Sequence, residues 1–128
     1  MQYEYFYGAQ AEQFSFYRIP KALFTVPNFR ELSTDAKVLY GILLDRMSLS
    51  LKNQWLDAQN KVYIIFTVEE IMDALNCANQ KATRLMVELE KQAGLIERKR
   101  QGLGRPNLIY VKNFAATIND KSCEKGDS

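Results

Sequence analysis

Residues 75–111 read LNCANQKATRLMVELEKQAGLIERKRQGLGRPNLIYV, and the fold turns on how this stretch divides. Ala82, Leu85, Met86, Leu89 and Ala93 recur at helical spacing, while Lys81, Arg84, Glu88 and Lys91 occupy a different face. The spacing predicts a basic amphipathic helix over residues 80–93, stopped by Gly94. Leu95 to Arg100 then reads as a strand and Leu108 to Val111 as its returning partner, around a tip of Gln101, Gly102, Leu103, Gly104, Arg105, Pro106 and Asn107. A helix feeding a basic hairpin is the outline of a winged helix-turn-helix, an α+β fold. Such a helix fits the DNA major groove, and the wing reaches phosphates or the minor groove beside it.

Working outward, Thr67 and Glu70 form a Thr-x-x-Glu capping box for a helix from Val68 to about Leu75, with Ile71, Met72 and Leu75 facing inward. The four residues Asn76 to Asn79 have the length of the turn between paired helices. Upstream, Ser33, Thr34 and Asp35 supply capping chemistry for a scaffold helix running to about Met47 along Leu39, Tyr40, Leu43 and Leu44. Between these helices, Asn53 to Leu56 and Lys61 to Phe66 predict an extra β-hairpin, with Trp55 as its core anchor. Pro20 opens a short helical turn through Phe24, and Pro27 interrupts it.

The first 17 residues form an aromatic N-terminal arm that holds Tyr3, Tyr5, Phe6, Tyr7, Phe14, Phe16 and Tyr17, half of all the Tyr and Phe. So apolar an arm is expected to pack: into this domain's own core, into a partner subunit, or against bases. Residues 18–114 make the winged-helix domain, and residues 115–128 read as a polar tail or linker.

At 128 residues, with 47% hydrophobic and 25% charged, the composition is that of one ordinary globular domain. No stretch approaches a membrane helix and the start lacks a signal-peptide pattern, so a cytoplasmic location with no membrane partner is expected. Two distant cysteines, Cys77 in the turn and Cys123 in the tail, make no disulfide framework; without any histidine they make a zinc site improbable. The missing histidine also removes the usual general base and the catalytic triads, and the carboxylates fall on separate faces, so neither catalysis nor a cofactor is expected.

The net charge of +2 conceals a gradient. Residues 1–78 carry a net −2, residues 79–112 a net +5 and residues 113–128 a net −1. Positive charge is concentrated where a polyanion would be met. The candidate DNA contacts on the helix are Asn79, Gln80, Lys81, Thr83, Arg84 and, nearer the backbone, Lys91; Gln80 suits adenine, and Arg84 or Lys81 guanine. Those on the wing are Arg98, Lys99, Arg100, Gln101, Arg105 and Asn107, with Arg98 and Arg100 on one strand face, Lys99 on the other and Arg105 best placed for the minor groove. Six such residues on phosphates would give a slope of log K against log salt of about −5.

Three blocks in order carry a more specific signal: Phe16 to Phe24 (FYRIPKALF), Leu32 to Tyr40 (LSTDAKVLY) with Leu44 to Ser50 (LDRMSLS), and Gly94 to Asn107 (GLIERKRQGLGRPN). Over residues 16–114 the chain resembles the amino-terminal domain of the RepA-type plasmid replication initiators of Gram-positive bacteria. The resemblance implies binding to direct repeats, or iterons, in double-stranded plasmid origin DNA to begin theta-mode replication. It also implies a longer protein whose carboxy-terminal domain recruits host replication proteins. In that family a serine is expected at the recognition-helix cap; here Ala78 leaves Asn79 or Asn76 to satisfy it. Self-association as a homodimer or higher assembly, through the arm or the hairpin, would suit repeated sites. A winged-helix transcription repressor and a protein-association module without DNA binding are the other readings.

Overall fold

The computed structural model describes residues 2–8 and 14–115. The expected polar tail, with Cys123, lies outside the described residues apart from Ala115. The elements run α1 (Ala22–Thr25), a 3-10 turn (Pro27–Phe29), α2 (Thr34–Lys52), α3 (Val68–Leu75), α4 (Asn79–Val87), a π turn (Glu88–Gln92), β1 (Ile96–Lys99) and β2 (Leu108–Val111).

The scaffold helix α2 starts where capping chemistry puts it, with the Ser33 hydroxyl accepting from the Ala36 amide at 3.2 Å. It runs to Lys52, more than a turn beyond the Met47 end that the apolar stripe marks. Its buried face, Ala36, Leu39, Tyr40, Leu43 and their neighbours, forms the centre of the core. Gly41 lies on the side where residues 18–19 cross: a Cβ there would meet Ile19 Cγ1 at 2.8 Å and the Arg18 carbonyl oxygen at 3.0 Å. Only glycine admits that approach.

α3 carries the full capping box, Thr67 accepting from the Glu70 amide and Glu70 from the Thr67 amide. It ends on Asn76 in the left-handed region, and the Cys77 amide donates to the Met72 carbonyl at 3.1 Å. α4 follows after Ala78, burying Ala82, Leu85 and Met86.

The basic helix is not the uninterrupted 80–93 segment that the spacing predicts: from Glu88 to Gln92 it widens into a π turn. At the start of that turn lies Glu88, expected on the polar face yet buried, whose carboxylate accepts from the Ser33 amide at 2.9 Å and the Ser33 hydroxyl at 2.8 Å. A side chain from α4's end thus completes the cap of α2, and the helix widens where this pairing holds it. Gly94, at φ 66°, closes the segment, with Leu95 donating to the Leu89 carbonyl at 2.9 Å.

β1 and β2 are antiparallel, Ile96 opposite Val111 and Lys99 opposite Leu108. Ile64 joins the far side of β2 through a reciprocal pair of 2.9 Å bonds with Ile109. The extra hairpin is reduced to one bridge, Leu56 with Val62, about a turn in which Asp57 accepts from the Gln59 and Lys61 amides. Trp55 is therefore not a core anchor: it is 38% exposed and stacks on Tyr63, because the chain here is a loop lying on the surface of the fold. The arm does not complete this domain's core either; Tyr3, Tyr5, Phe6, Tyr7, Phe14, Phe16 and Tyr17 are all exposed. Among the described residues no helix is long and apolar enough to cross a membrane.

Candidate nucleic-acid interface

α4 begins on Ala78, which has extended backbone and no side-chain cap bond, so neither Asn79 nor Asn76 replaces the missing hydroxyl as N-cap. Ala82 takes the first intrahelical bond, from its amide to the Ala78 carbonyl at 3.1 Å. The amides of Asn79, Gln80 and Lys81 precede that bond and find no acceptor among the described residues. Three outward amides and the positive end of the helix dipole make a natural seat for a phosphate. Around them Asn79, Gln80, Thr83 and Arg84 are exposed, with Thr83 Oγ1 lying 3.5 Å from Asn79 Oδ1. Lys81 is half-buried and pairs with Asp35 in the first turn of α2 at 2.6 Å. Lys91 is exposed on the π turn.

The wing divides differently from its sequence pattern. Arg98 does not accompany Arg100 toward solvent: its Nε and Nη2 donate to Glu90 Oε1 at 3.0 and 2.7 Å. Arg98 shares the core-facing side of the ribbon with Ile96, and there its guanidinium meets the middle of the π turn. These bonds hold the Glu90 carboxyl below its ordinary pKa, against an opposing push from burial. Arg98 therefore ties the wing to the helix through this pair. Lys99 points to the opposite side, into a groove shared with Tyr110 and with Met47 of α2.

Beyond β1 the tip is ordered by its own bonds. Gln101 Nε2 donates to the Pro106 carbonyl at 2.7 Å, and the Arg105 amide to the Gly102 carbonyl at 3.3 Å. Gly102 and Gly104 take φ of 116° and 77°, angles that would strain any side chain. Arg100 and Arg105 are exposed and form no ion pair with the described residues. Arg105, Pro106 and Asn107 share a hollow with Thr67, Val68 and Glu69 at the start of α3 and with Met86 of α4. The wing thus folds back against the helix-turn-helix.

Glu88, Glu90 and Asp35, the three carboxylates that organise this region, are absent from the candidate DNA-site residues that sequence reasoning selects. Glu88 left a faint signal, three residues after the buried Leu85 and next to Leu89. The other two left none, since their partners are chosen by tertiary approach.

Comparison with known proteins identifies the family and the fold. Residues 15–125 match the family model described as Replication initiator protein A (RepA) N-terminus. A "41 kDa protein" of Lactobacillus helveticus is 32% identical over 103 residues, covering 80% of this chain and 28% of that relative. The chain thus spans little more than a quarter of that protein's length. Among solved structures, one described as "N-Terminal domain of DNA binding protein" has a TM-score of 0.73 at 36% identity, covering 99% of this chain and 98% of its own. One described as "Structure of Rep-DNA complex" has a TM-score of 0.72 at 36% identity over 98% of each chain. A third, "Structure of MDR initiator", has a TM-score of 0.67 at 38% identity over 93% of this chain and 98% of its own. With a winged-helix fold, and with a family match that spans most of its length, the chain belongs to the replication initiator protein A amino-terminal family.

Proposed function

We propose that this chain is a non-enzymatic, sequence-specific binder of double-stranded DNA that recognises repeated sites in a plasmid origin and so initiates plasmid replication. The observation that carries the reading is the start of α4: three unengaged amides ringed by exposed Gln80, Thr83 and Arg84. In the mechanism a phosphate seats on those amides and fixes the depth of the helix in the major groove. Gln80 and Arg84 then meet base edges, each good paired contact contributing about 1–3 kcal/mol of discrimination. Arg100 and Arg105 hold the flanking backbone or minor groove. With Arg98 engaged by Glu90 and Lys99 on the other side of the ribbon, the phosphate-neutralising set shrinks. A slope of log K against log salt of about −4 follows.

Iterons are repeated sites, and an exposed arm of seven aromatic residues supports the reading that copies of this chain associate, burying the arm in a partner. Host replication proteins join through another part of a longer protein, as the small share of the Lactobacillus helveticus relative that the chain covers suggests. Selection from randomised duplexes at moderate salt tests the DNA reading. An enriched, repeated site that the Lys81→Ala/Arg84→Ala double variant no longer binds is the expected result. Failure to enrich any sequence would leave a protein-association module instead, and a plasmid maintenance assay separates initiator from repressor.

A further inference from the structure

Leu103 occupies the wing tip between Gly102 and Gly104, fully exposed and outside the hydrophobic core. A solitary exposed leucine is ordinary on a protein surface. This one differs in its setting. The loop beneath it is closed by the Gln101–Pro106 and Arg105–Gly102 bonds, so the side chain is presented on an ordered tip. A Cβ added at Gly102 or Gly104 would have nothing within 4 Å, so the tip is thin on both sides of the leucine. Two exposed arginines without ion-pair partners among the described residues, Arg100 and Arg105, flank it. A narrow apolar point between two cations matches a slot with anionic walls and a less polar interior.

We propose that Leu103 is an apolar minor-groove contact that sets a preference for A·T pairs beside the major-groove site, an inference that rests on the DNA-binding reading above. The minor groove of B-DNA is about 6 Å wide, enough for an isobutyl group on a backbone thinned by glycine but not for a bulkier turn. Arg100 and Arg105 take the phosphate walls while Leu103 buries against deoxyribose and the groove floor. There the exocyclic amino group of guanine obstructs it, and an A·T pair, which carries no such group, does not.

The test uses the 128-residue chain and a duplex enriched from randomised DNA by the wild-type protein. Hydroxyl-radical footprints of wild type and Arg105→Ala locate the pairs under the wing. At those pairs A·T is replaced by G·C or by inosine·cytosine, which has the major-groove pattern of G·C but lacks the minor-groove amino group. Wild type should bind the A·T and inosine duplexes alike and the G·C duplex about tenfold more weakly, the scale of burying one leucine side chain. Leu103→Ala should bind all three at that weaker level with an unchanged salt slope, and Leu103→Met should restore most of the preference. Leu103→Ala binding as tightly as wild type, while Lys81→Ala/Arg84→Ala loses the site, overturns the inference and leaves DNA recognition standing. Loss of site preference in no variant, the double variant included, overturns both.

Discussion

Two ion pairs border the candidate interface, and each takes a basic residue from the cationic segment to a carboxylate of the fold. Lys81 meets Asp35 with side chains 42% and 50% exposed, whereas Arg98 meets Glu90 with side chains 25% and 18% exposed. Solvent decides what each is for. A wet lysine pair contributes little, ~0–1 kcal/mol, so Lys81 can exchange Asp35 for a phosphate at small cost. Arg98, two-pronged and largely desolvated, cannot leave without stranding a carboxylate. On the proposed reading one cation is a reserve for DNA and the other a strut, although both sit in the same basic segment.

The largest expected effect lies on the reserve side. Lys81→Ala/Arg84→Ala should weaken binding to the enriched duplex by about 100-fold or more, the product of two contacts at about 1–3 kcal/mol each. Its melting temperature should stay near that of wild type, because neither side chain is part of the core. A variant that unfolded instead would make Lys81 a strut of the fold, as Arg98 is. Filter binding and a thermal melt on the same preparation decide it.

On the strut side, Arg98→Ala should cost about 2 kcal/mol of stability, less than a fully buried pair because both groups remain partly wet. For a domain of this size that is a fall in melting temperature of roughly 10 °C. Affinity for DNA and its salt slope should barely move, in contrast to Arg100→Ala, which should flatten the slope by about one. A flattened slope for Arg98→Ala would return Arg98 to the contact set.

The same strut should respond to acid. The Glu90 carboxyl is held below its ordinary pKa, chiefly by the hydrogen bonds from Arg98. A group depressed in the folded state stabilises in full above its unfolded pKa, about 4.3, and loses that contribution as pH falls through the lower folded value. Wild type should therefore lose more stability than Arg98→Ala between neutral pH and the acid limb. Asp57, also lowered, by the Lys61 amide first, acts equally in both proteins and cancels in the difference. Parallel curves would mean the pair contributes nothing.

This contrast also marks what could be read from the chain alone. The capping box at Thr67 and Glu70, the turn to α4, the helix stop at Gly94 and the glycine tip are built from residues within a few positions of each other, where spacing alone expresses the physics. Which basic residues remain free is not local. Glu88 finds Ser33 55 positions away, at the point where the helix end that periodicity would have kept regular widens. Arg98 is eight positions from Glu90, on the core-facing side of a strand whose alternation is legible but whose neighbour is not. Trp55 and the strong β-formers after it promise a buried hairpin, yet only Leu56 and Val62 bridge, since Ile64 pairs with β2 instead.

The smallest effect is the most direct measure of the reserve. Asp35→Asn keeps the shape of the side chain and removes the charge that holds Lys81 at 2.6 Å. Stability should drop by about 0.5 kcal/mol, combining a surface pair with loss of an acidic residue from the first turn of α2. Affinity for DNA should rise about threefold at low salt, since the ammonium no longer exchanges one anion for another and a carboxylate no longer faces the phosphates. The salt slope carries the sharper information. If Lys81 contacts a phosphate in the complex of both proteins, it releases one counterion in each, and the freed lysine of the variant binds an additional one beforehand; the slope then steepens by less than one while affinity rises. If Asp35 holds Lys81 even in the wild-type complex, the variant gains a whole phosphate contact and the slope steepens by about one. An unchanged affinity and slope would place Lys81 away from DNA altogether and leave Arg84 as the sole cationic reader on the recognition helix.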